Sequence, residues 1–357
     1  MDPPATIRRR HASQRLAGEP LGSVADAVRW SGAVQAQEFA EVKWSLAERI
    51  AGAPTEAEIE RAFTDGEVIR THVMRPTWHF VAAEDIRWLL RLTAPRVHQA
   101  NKYRYKRAGL DGSTLERGHR VFARELAGAE PRTRKELVAA LATAGIEGDS
   151  IRLGYVFGHA ELEQLICSGP RRGKQQTYML LDDRAGSDPG PSGDAALAEL
   201  ARRYFRSHGP ATARDFSWWS GLTLTRSREA ISLVEPALDQ ELDDEGEGWF
   251  SVGAREAPAR SRALLLPTYD ELIVAYKDLR VDLVAQPPRE GLLTRTIAID
   301  GRTVGGWKRT LARDSVTVEA TVFKRLPREQ REQLELAVAR FGDFLGLEGE
   351  LALELDR

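Results

Sequence analysis

Two glutamines, Gln35 and Gln37, stand on either side of a single alanine near the start of the chain. In an extended or loop segment, residues two apart point to the same side, so these carboxamides would face one spot. Each amide offers one acceptor oxygen and two donor hydrogens and carries no charge. Such a pair can hold a water molecule and a sugar oxygen together. On a helix surface the same side chains would diverge and be merely solvated, and their spacing alone leaves that alternative open.

Two further stretches carry positive charges at positions that suit a phosphate backbone. The segment 96–107 contains no acidic residue, and its basic residues alternate with Tyr103 and Tyr105. A predicted hairpin turn at 169–174 is also basic, but it is one residue too short for a nucleotide-binding Walker loop. A solvated helix and an ordinary exposed turn are the alternatives. The basic residues proposed to contact DNA are Arg104, Lys106 and Arg107 in the first stretch and Arg171, Arg172 and Lys174 in the second.

His79 is a candidate site residue because the end of a strand can project it, with Trp78, into a groove. A buried, hydrogen-bonded histidine is the competing interpretation. Asp270 and Glu271 follow a predicted strand, and salt bridges between that strand and a helix are a better expectation for them than catalysis. The remaining histidines lack the spacing of a zinc motif, and the familiar hydrolase, kinase and dinucleotide signatures are missing from the sequence. The sequence therefore predicts no metal site and no cofactor.

Size and composition set the broad class of the protein. The chain has 357 residues, of which 42% are hydrophobic and 29% charged, as in a soluble protein of two or three domains. Its net charge of -2 means that a nucleic-acid binder would need segregated basic patches. The single cysteine, Cys167, excludes an internal disulfide and indicates a reducing compartment. No apolar run follows Arg8–Arg10, so no signal peptide is expected and the predicted location is cytoplasmic.

The sequence around the glutamines predicts three helices followed by two strands. Ser23 can cap a helix over 24–31, and further helices are predicted at 38–50 and from Thr55 to about 63. Strands are predicted at 68–73 and 77–82. Both glutamines then lie in the connection between the first two helices, where a loop can aim side chains at a ligand. This order of elements is that of a winged helix.

The same order recurs along the chain. Linking helices at 84–92 and 96–107 lead to a second unit, with helices at 134–144 and 150–165 and strands at 165–168 and 175–181. A third unit has helices at 195–207, 213–221 and 225–234 and strands at 238–242 and 248–252. We therefore predict a mainly α protein with small β wings, of the α+β class. The predicted divisions are 1–110, 111–190 and 191–262 for the three winged-helix units and 263–357 for a β-rich C-terminal segment.

Several short motifs give the chain a family resemblance. They are Gly32-Ala-Val-Gln-Ala-Gln37, Thr77-Trp-His79, His208-Gly-Pro-Ala-Thr212, Trp218-Trp219-Ser-Gly221 and Tyr276-Lys-Asp278. In this order they resemble the AlkZ-like winged-helix DNA glycosylases over nearly the whole chain. The family has Gln, an apolar residue, and then either Gln in the AlkZ branch or Asp in the YcaQ branch. With Gln at both positions around Ala36, this chain resembles the AlkZ branch.

The resemblance implies three tandem winged-helix units that form a concave DNA-binding surface. It also implies excision of N7-alkylguanine, including bulky adducts and interstrand crosslinks, often as self-resistance to a genotoxic natural product. The expected partner is double-stranded DNA carrying such a lesion, and the expected protein is a monomer that needs neither a protein partner nor a membrane. The catalytic role falls on Gln35 and Gln37. The substrate and DNA contacts fall on Thr77, Trp78 and His79 and on the hairpin residues Arg171, Arg172 and Lys174.

Uncharged catalysts fit this chemistry because an N7-alkylated guanine is already cationic and leaves without protonation. What remains is to position water and to stabilise an oxocarbenium-like sugar with oriented dipoles. We expect an open site rather than a sealed base pocket, because a bulky adduct must fit. Lys43 is the only lysine near the pair in sequence, so a Schiff-base nucleophile is not supported. A DNA-binding protein without enzymatic activity and a protein that sequesters the drug itself are the alternatives.

Overall fold

The structure is a computed structural model that describes residues 3–253, 262–277 and 295–356. Asp278, the last residue of one motif quoted above, lies outside the described residues. None of the helices within these ranges combines the length and the apolar character that crossing a bilayer requires.

The first unit starts with a helix that has no counterpart in the sequence-based prediction and continues in the predicted order. Ser23 accepts a hydrogen bond from the backbone of Asp26, and Thr55 forms a reciprocal capping box with Glu58, so both predicted helix starts are confirmed. The elements are α1 (Pro3–Ser13), α2 (Val24–Ser31), β1 (Val34–Gln35), α3 (Phe39–Ala47), α4 (Glu56–Thr64), β2 (Val68–His72), β3 (Trp78–Ala82) and α5 (Ile86–Arg107).

Helix α5 is continuous, although two linking helices were predicted on either side of Pro95. A proline inside a helix removes one backbone hydrogen bond and normally ends or kinks the helix. Here Trp88 and Leu90 before the proline and Val97 after it are all buried in one hydrophobic core. We attribute the continuity of the helix to this packing, which local propensity does not reveal.

The second and third units repeat the order helix, strand, helix, helix, strand, strand. In each unit the first strand pairs with the last, as β1 does in the first unit, giving the orders β1-β3-β2, β4-β6-β5 and β7-β9-β8. The second unit comprises α6 (Gly112–Glu125), β4 (Arg132–Thr133), α7 (Arg134–Thr143), α8 (Ser150–Leu162), β5 (Ile166–Arg172) and β6 (Gln175–Leu180). The third comprises α9 (Gly193–His208), β7 (Ala211–Thr212), α10 (Ala213–Ser220), α11 (Leu224–Val234), β8 (Asp239–Leu242) and β9 (Gly248–Ser251).

Helix α6 was not predicted, although its sequence carries a signal. Asp111 caps the helix by accepting from the backbone of Thr114. Leu115, Gly118 and Phe122 are buried at the spacing of one helical face. Gly118 stands where a Cβ would come within 3.0 Å of the Val156 side chain. The apolar stripe is therefore interrupted by a glycine that permits close packing against α8.

The C-terminal segment forms one five-stranded sheet of order β10-β11-β12-β13-β14. Asp300-Gly301, a dipeptide typical of two-residue hairpin turns, forms such a turn here, since both residues have positive φ, 50° and 76°. The last two strands are parallel and are joined through a helix. The elements are β10 (Leu264–Leu266), α12 (Glu271–Val274), β11 (Thr296–Ile299), β12 (Arg302–Leu311), β13 (Ser315–Val322), α13 (Arg328–Leu345) and β14 (Glu348–Leu355).

The hydrophobic cores do not follow the units. Trp44 of the first unit packs against Phe341 and Phe344 of α13, and its indole nitrogen donates to the Leu265 carbonyl at 2.7 Å. A second core joins β2, β3 and α5 to the helices of the third unit. Among the residues that the structure describes, only those of the second unit form a core almost entirely of their own. The first unit is therefore held between the C-terminal sheet and the third unit.

Candidate functional site

The two central glutamines lie where β1 ends and the loop to α3 begins. Gln35 is the last residue of β1 and pairs with His79 of β3. Its side chain is almost covered, with the residue 8% exposed, whereas Gln37 is partly exposed. The extended backbone excludes the helix-surface alternative for this pair.

Gln35 is fixed by hydrogen bonds from two sides. Its backbone N–H donates to Glu271 Oε1 at 2.7 Å, and its side-chain oxygen accepts from the guanidinium of Arg75 at 3.0 Å. Because a guanidinium can only donate, the amide oxygen must face Arg75 and the NH₂ group must point away from it. Gln35 is thus held in one orientation with two donors left to offer.

Gln37 is less constrained at its side chain but is held at its backbone. Its Oε1 accepts only a long hydrogen bond from the Trp78 N–H, at 3.4 Å. Arg70 donates to the carbonyls of Ala36, at 2.9 Å, and Gln37, at 3.3 Å, and its guanidinium lies over the Trp78 ring. The loop is therefore rigidly supported, while the Gln37 amide remains free to bind a ligand.

Gln37 lines a groove of about 660 Å³ between the first unit, α5 and the second unit, which we call the interunit groove. Arg70 and Arg134 supply positive charge to its wall. Aromatic side chains line the groove together with these cations, a combination found in surfaces that bind nucleic acid. The other side chains that define the groove include His72, Trp78, Asn101, Tyr105, Tyr155, His159, Gln176 and Tyr178. Gln35 lies behind Gln37 and is not part of this lining.

Glu271 is the centre of a buried polar network behind the glutamines. Besides Gln35, it accepts from the indole N–H of Trp219 at 3.1 Å, and His208 Nε2 lies 3.5 Å from its carboxylate. Burial raises the pKa of Glu271, but its hydrogen bond with His208 and the charge of Arg75 outweigh burial and leave that pKa below its usual value. An ionised, fully buried carboxylate therefore anchors the strand that carries Gln35.

The other motif residues join the same network. The Tyr276 hydroxyl donates to the His208 carbonyl at 2.8 Å, and the Arg10 guanidinium lies 3.6 Å from the centre of the Tyr276 ring. Motifs that are far apart in sequence thus meet behind β1. Asp270 forms a buried ion pair with Arg49 at 2.8 Å, as expected from the salt-bridge interpretation.

His79 does not reach the groove, so the expectation that it contacts DNA is corrected. The residue is completely buried, and its Nδ1 lies 3.0 Å from the Thr77 carbonyl oxygen. Burial, followed by the nearby charge of Arg75, lowers the pKa of His79 to about 3, so the imidazole is neutral. Of its neighbours, Thr77 is partly exposed and Trp78 lines the groove, where its indole N–H donates to Glu161 Oε1 at 3.2 Å.

The hairpin of β5 and β6 has fewer unpaired cations available to bind DNA than its sequence suggests. Arg171 pairs with Glu60 at 3.2 Å, and Arg172 pairs with Glu136 at 2.9 Å. Lys174 at the turn is exposed. Both acidic partners are distant in sequence, so charge composition alone could not reveal that two of the three cations are neutralised within the protein.

The C-terminal end of α5 presents the other predicted cations. Arg104, Lys106 and Arg107 are all exposed, and Arg104 and Arg107 line a second depression beside Tyr103, which is 72% exposed. The C-terminus of a helix favours positive side chains through the helix dipole. This surface can therefore hold phosphate groups.

The sequence did not single out Arg70 and Arg75, and it singled out Glu271 only as a salt-bridge residue. Arg70, Arg75 and Glu271 hold the Gln pair, yet Arg75 and Glu271 are 40 and 236 positions away from Gln35. Arg70 did carry a signal, since a charged residue in the middle of an apolar strand must find partners.

Comparison with known proteins finds similarity along almost the whole chain. The family model described as AlkZ-like, DNA glycosylase AlkZ-like, matches residues 28–344. An interstrand DNA cross-link repair glycosylase of Streptomyces sahachiroi is 26% identical over 340 residues, covering 89% of this chain and 90% of the relative. The structure of Streptomyces sahachiroi DNA glycosylase AlkZ superimposes with a TM-score of 0.75 at 24% identity, covering 99% of each chain.

Proposed function

The chain belongs to the AlkZ-like DNA glycosylase family and is a DNA N-glycosylase, and we propose that it is monofunctional and excises N7-alkylguanine from double-stranded DNA. The observation that carries this proposal is the position of Gln37, a neutral amide in a groove lined by Arg70 and Arg134. A cationic base leaves without protonation by an acid, so neutral amides that position water are sufficient for this reaction.

The unequal exposure of the two amides assigns them different roles. Gln37 borders the groove and its oxygen is nearly unoccupied, so it orients the attacking water with that oxygen. Gln35 has its oxygen committed to Arg75, so its NH₂ group directs two donors toward the same water or toward Gln37. Preorganised dipoles of this kind stabilise the transition state because they need no rearrangement as charge develops on the sugar.

The environment of Lys43 supports hydrolysis rather than Schiff-base chemistry. Its ammonium group is buried and lies 2.7 Å from both Glu56 and Glu60. An amine engaged by two carboxylates in this way is not available to attack the sugar. Water is then the nucleophile, and the product is an abasic site with an intact strand.

The groove geometry supports activity on bulky lesions. The groove lies between two units and is open, so the lesion need not fit a sealed base pocket. We propose that bulky N7 adducts and interstrand crosslinks are substrates, and the name of the Streptomyces sahachiroi relative, a cross-link repair glycosylase, supports this. A role in self-resistance, a cytoplasmic location and a monomeric state are part of the same proposal.

We also propose that the three repeated units are winged helices that together form the concave DNA-binding face. The shared strand order, with the first strand paired to the last, supports this. The boundaries 1–110, 111–190, 191–262 and 263–357 remain our proposed divisions of the sequence. Along this face the free cations Lys174, Arg104, Lys106 and Arg107 contact DNA phosphates, while Arg171 and Arg172 mainly brace the hairpin.

A defined duplex tests the proposal. DNA carrying a single N7-methylguanine, or a bulkier N7 adduct, is incubated with the protein, and abasic sites are scored after mild base treatment. We expect strand breaks only after base treatment and no borohydride-trapped protein–DNA adduct. Undamaged duplex of the same sequence is the control. If base treatment breaks damaged strands no more often than the undamaged control, N7-alkylguanine is not the substrate.

A further inference from the structure

Three helices bring histidines together beside the interunit groove. His98 comes from α5, His119 from α6 and His159 from α8, and Glu163 follows just after the end of α8. The His98 and His159 rings are 4.6 Å apart at their centres, and those of His119 and His159 are 5.0 Å apart. Sequence spacing gave no hint of this cluster because its histidines lie on separate helices.

The ring nitrogens are oriented as metal ligands require. His98 Nδ1 is 3.1 Å from the Tyr105 hydroxyl, and its Nε2 is 3.0 Å from Glu163 Oε1. His159 Nδ1 is 3.1 Å from His119 Nε2, which leaves the Nε2 of His159 as its available nitrogen. A ligating histidine typically uses its second nitrogen for such a hydrogen bond, which fixes the tautomer and the ring orientation.

The donor atoms also match a single ion in number and type. One ligand atom each from His98, His159 and Glu163 lies within 4.8 Å of the other two. Two imidazoles and a carboxylate are a ligand set that binds zinc in proteins, and three protein ligands leave a fourth position for water. We propose that His98, His159 and Glu163 bind one zinc ion, with Tyr105 and His119 as the hydrogen-bond partners that orient the two imidazoles.

Such an ion would link α5 to α8 at the edge of the groove. His159 and Tyr105 both line the groove that contains Gln37. The ion would therefore fix the spacing between the first and second units, and its positive charge would add to that of the groove wall. This site is separate from the glutamines and does not depend on the proposed excision chemistry.

Zinc binding is measured on the full chain without a histidine tag, stripped of metal with a chelator and then dialysed. Calorimetric titration with zinc chloride should show one site per chain, and cobalt titration should give the visible absorption of a tetrahedral site. Glu163→Gln removes a half-exposed ligand with little risk to folding, and Glu147→Gln on the exposed loop before α8 is the matched control. Tyr105→Phe removes one orienting hydrogen bond.

We expect the Glu163→Gln variant to bind zinc at least tenfold more weakly, the Tyr105→Phe variant about tenfold more weakly, and the control like wild type. Because both variants keep the histidines, circular dichroism should show them folded. Wild-type protein that takes up no zinc would overturn the proposal. Binding that is equally strong in wild type and in Glu163→Gln would also overturn it, since the cluster would then be only a hydrogen-bonded contact between helices.

Discussion

At the scale of single residues, the site consists of one amide that borders the groove and a set of buried groups that hold the strand behind it. Gln37 faces the groove, while Gln35 is held between Arg75 and Glu271. A catalytic dipole is effective only when its direction is fixed before the reaction. We therefore infer that the buried network fixes the direction of the glutamine dipoles.

Arg75→Met tests this positioning role. The substitution removes the hydrogen bond to Gln35 Oε1 and frees the amide to rotate. We expect the excision rate at saturating enzyme to fall roughly 10- to 100-fold, with little change in DNA affinity, because Arg75 is largely buried. Arg328→Met on the exposed surface of α13 is the control. A drop in DNA affinity with an unchanged excision rate would show that Arg75 acts as a DNA contact instead.

The buried His79 predicts a pH dependence of stability. Its folded pKa of about 3 lies below the ordinary value of 6.5, so between these values the unfolded chain takes up a proton that the folded chain does not. Stability is then lost as the pH falls from 6.5 toward 3, by up to about 1.4 kcal/mol per pH unit. In chemical denaturation from pH 7 to pH 5, His79→Gln should lose less stability than wild type. Parallel curves would contradict this assignment.

At the scale of elements, the surface that we propose binds DNA consists of the C-terminal end of a helix and the turn of a hairpin. Helix α5 runs past Pro95 and ends in a cluster of exposed cations, whereas the hairpin of β5 and β6 retains one free cation at its turn. We therefore expect α5 to contribute more than the hairpin to phosphate binding.

The triple change Arg104→Gln, Lys106→Gln and Arg107→Gln tests this surface. Each phosphate contact contributes about 0.9 to the slope of log affinity against log salt, so the slope should fall by about 2 to 3 in magnitude. The loss should be the same for damaged and undamaged duplexes. The control is Arg328→Gln with Arg331→Gln, whose side chains are already paired with glutamates on α13. An unchanged salt slope in the triple variant would mean that this helix end is only a solvated face.

The sequence predicted most elements because their signals are local. Ser23 and Thr55 cap helices with their own side chains, and the Asp300-Gly301 turn needs only two residues. The continuity of α5 through Pro95 depends on tertiary packing and was missed. The site follows the same rule. The loop position of the Gln pair was predictable, but the burial of His79 and the pairing of the hairpin arginines depend on residues distant in sequence.

At the scale of the whole molecule, the C-terminal segment supports the strand and loop that carry the two glutamines. Its helix α13 packs on Trp44 of the first unit, and Glu271, which follows β10, bonds directly to the Gln35 backbone. The family motifs are spread along the chain because the site is assembled from all of these parts.

Phe341→Ala should therefore destabilise more than the C-terminal segment. Phe341 is fully buried against Trp44 and Trp307, and truncating such a side chain removes about 3–5 kcal/mol of stability. We expect the melting temperature of the protein to fall. Hydrogen exchange should show the first unit and the C-terminal sheet losing protection together, in a single transition. Leu336→Ala, exposed on the same helix, is the control. Loss of protection confined to 295–356 would show that the segment folds independently.

The most direct test of the account is the single-turnover excision rate of Gln37→Ala on a duplex with one N7-methylguanine, measured together with its DNA affinity. We predict a rate about 100-fold or more below wild type at unchanged affinity, a smaller loss for Gln35→Ala, and a near wild-type rate for the exposed neighbour variant Glu38→Gln. Excision at the wild-type rate by both glutamine variants would contradict the claim that these neutral amides carry the reaction.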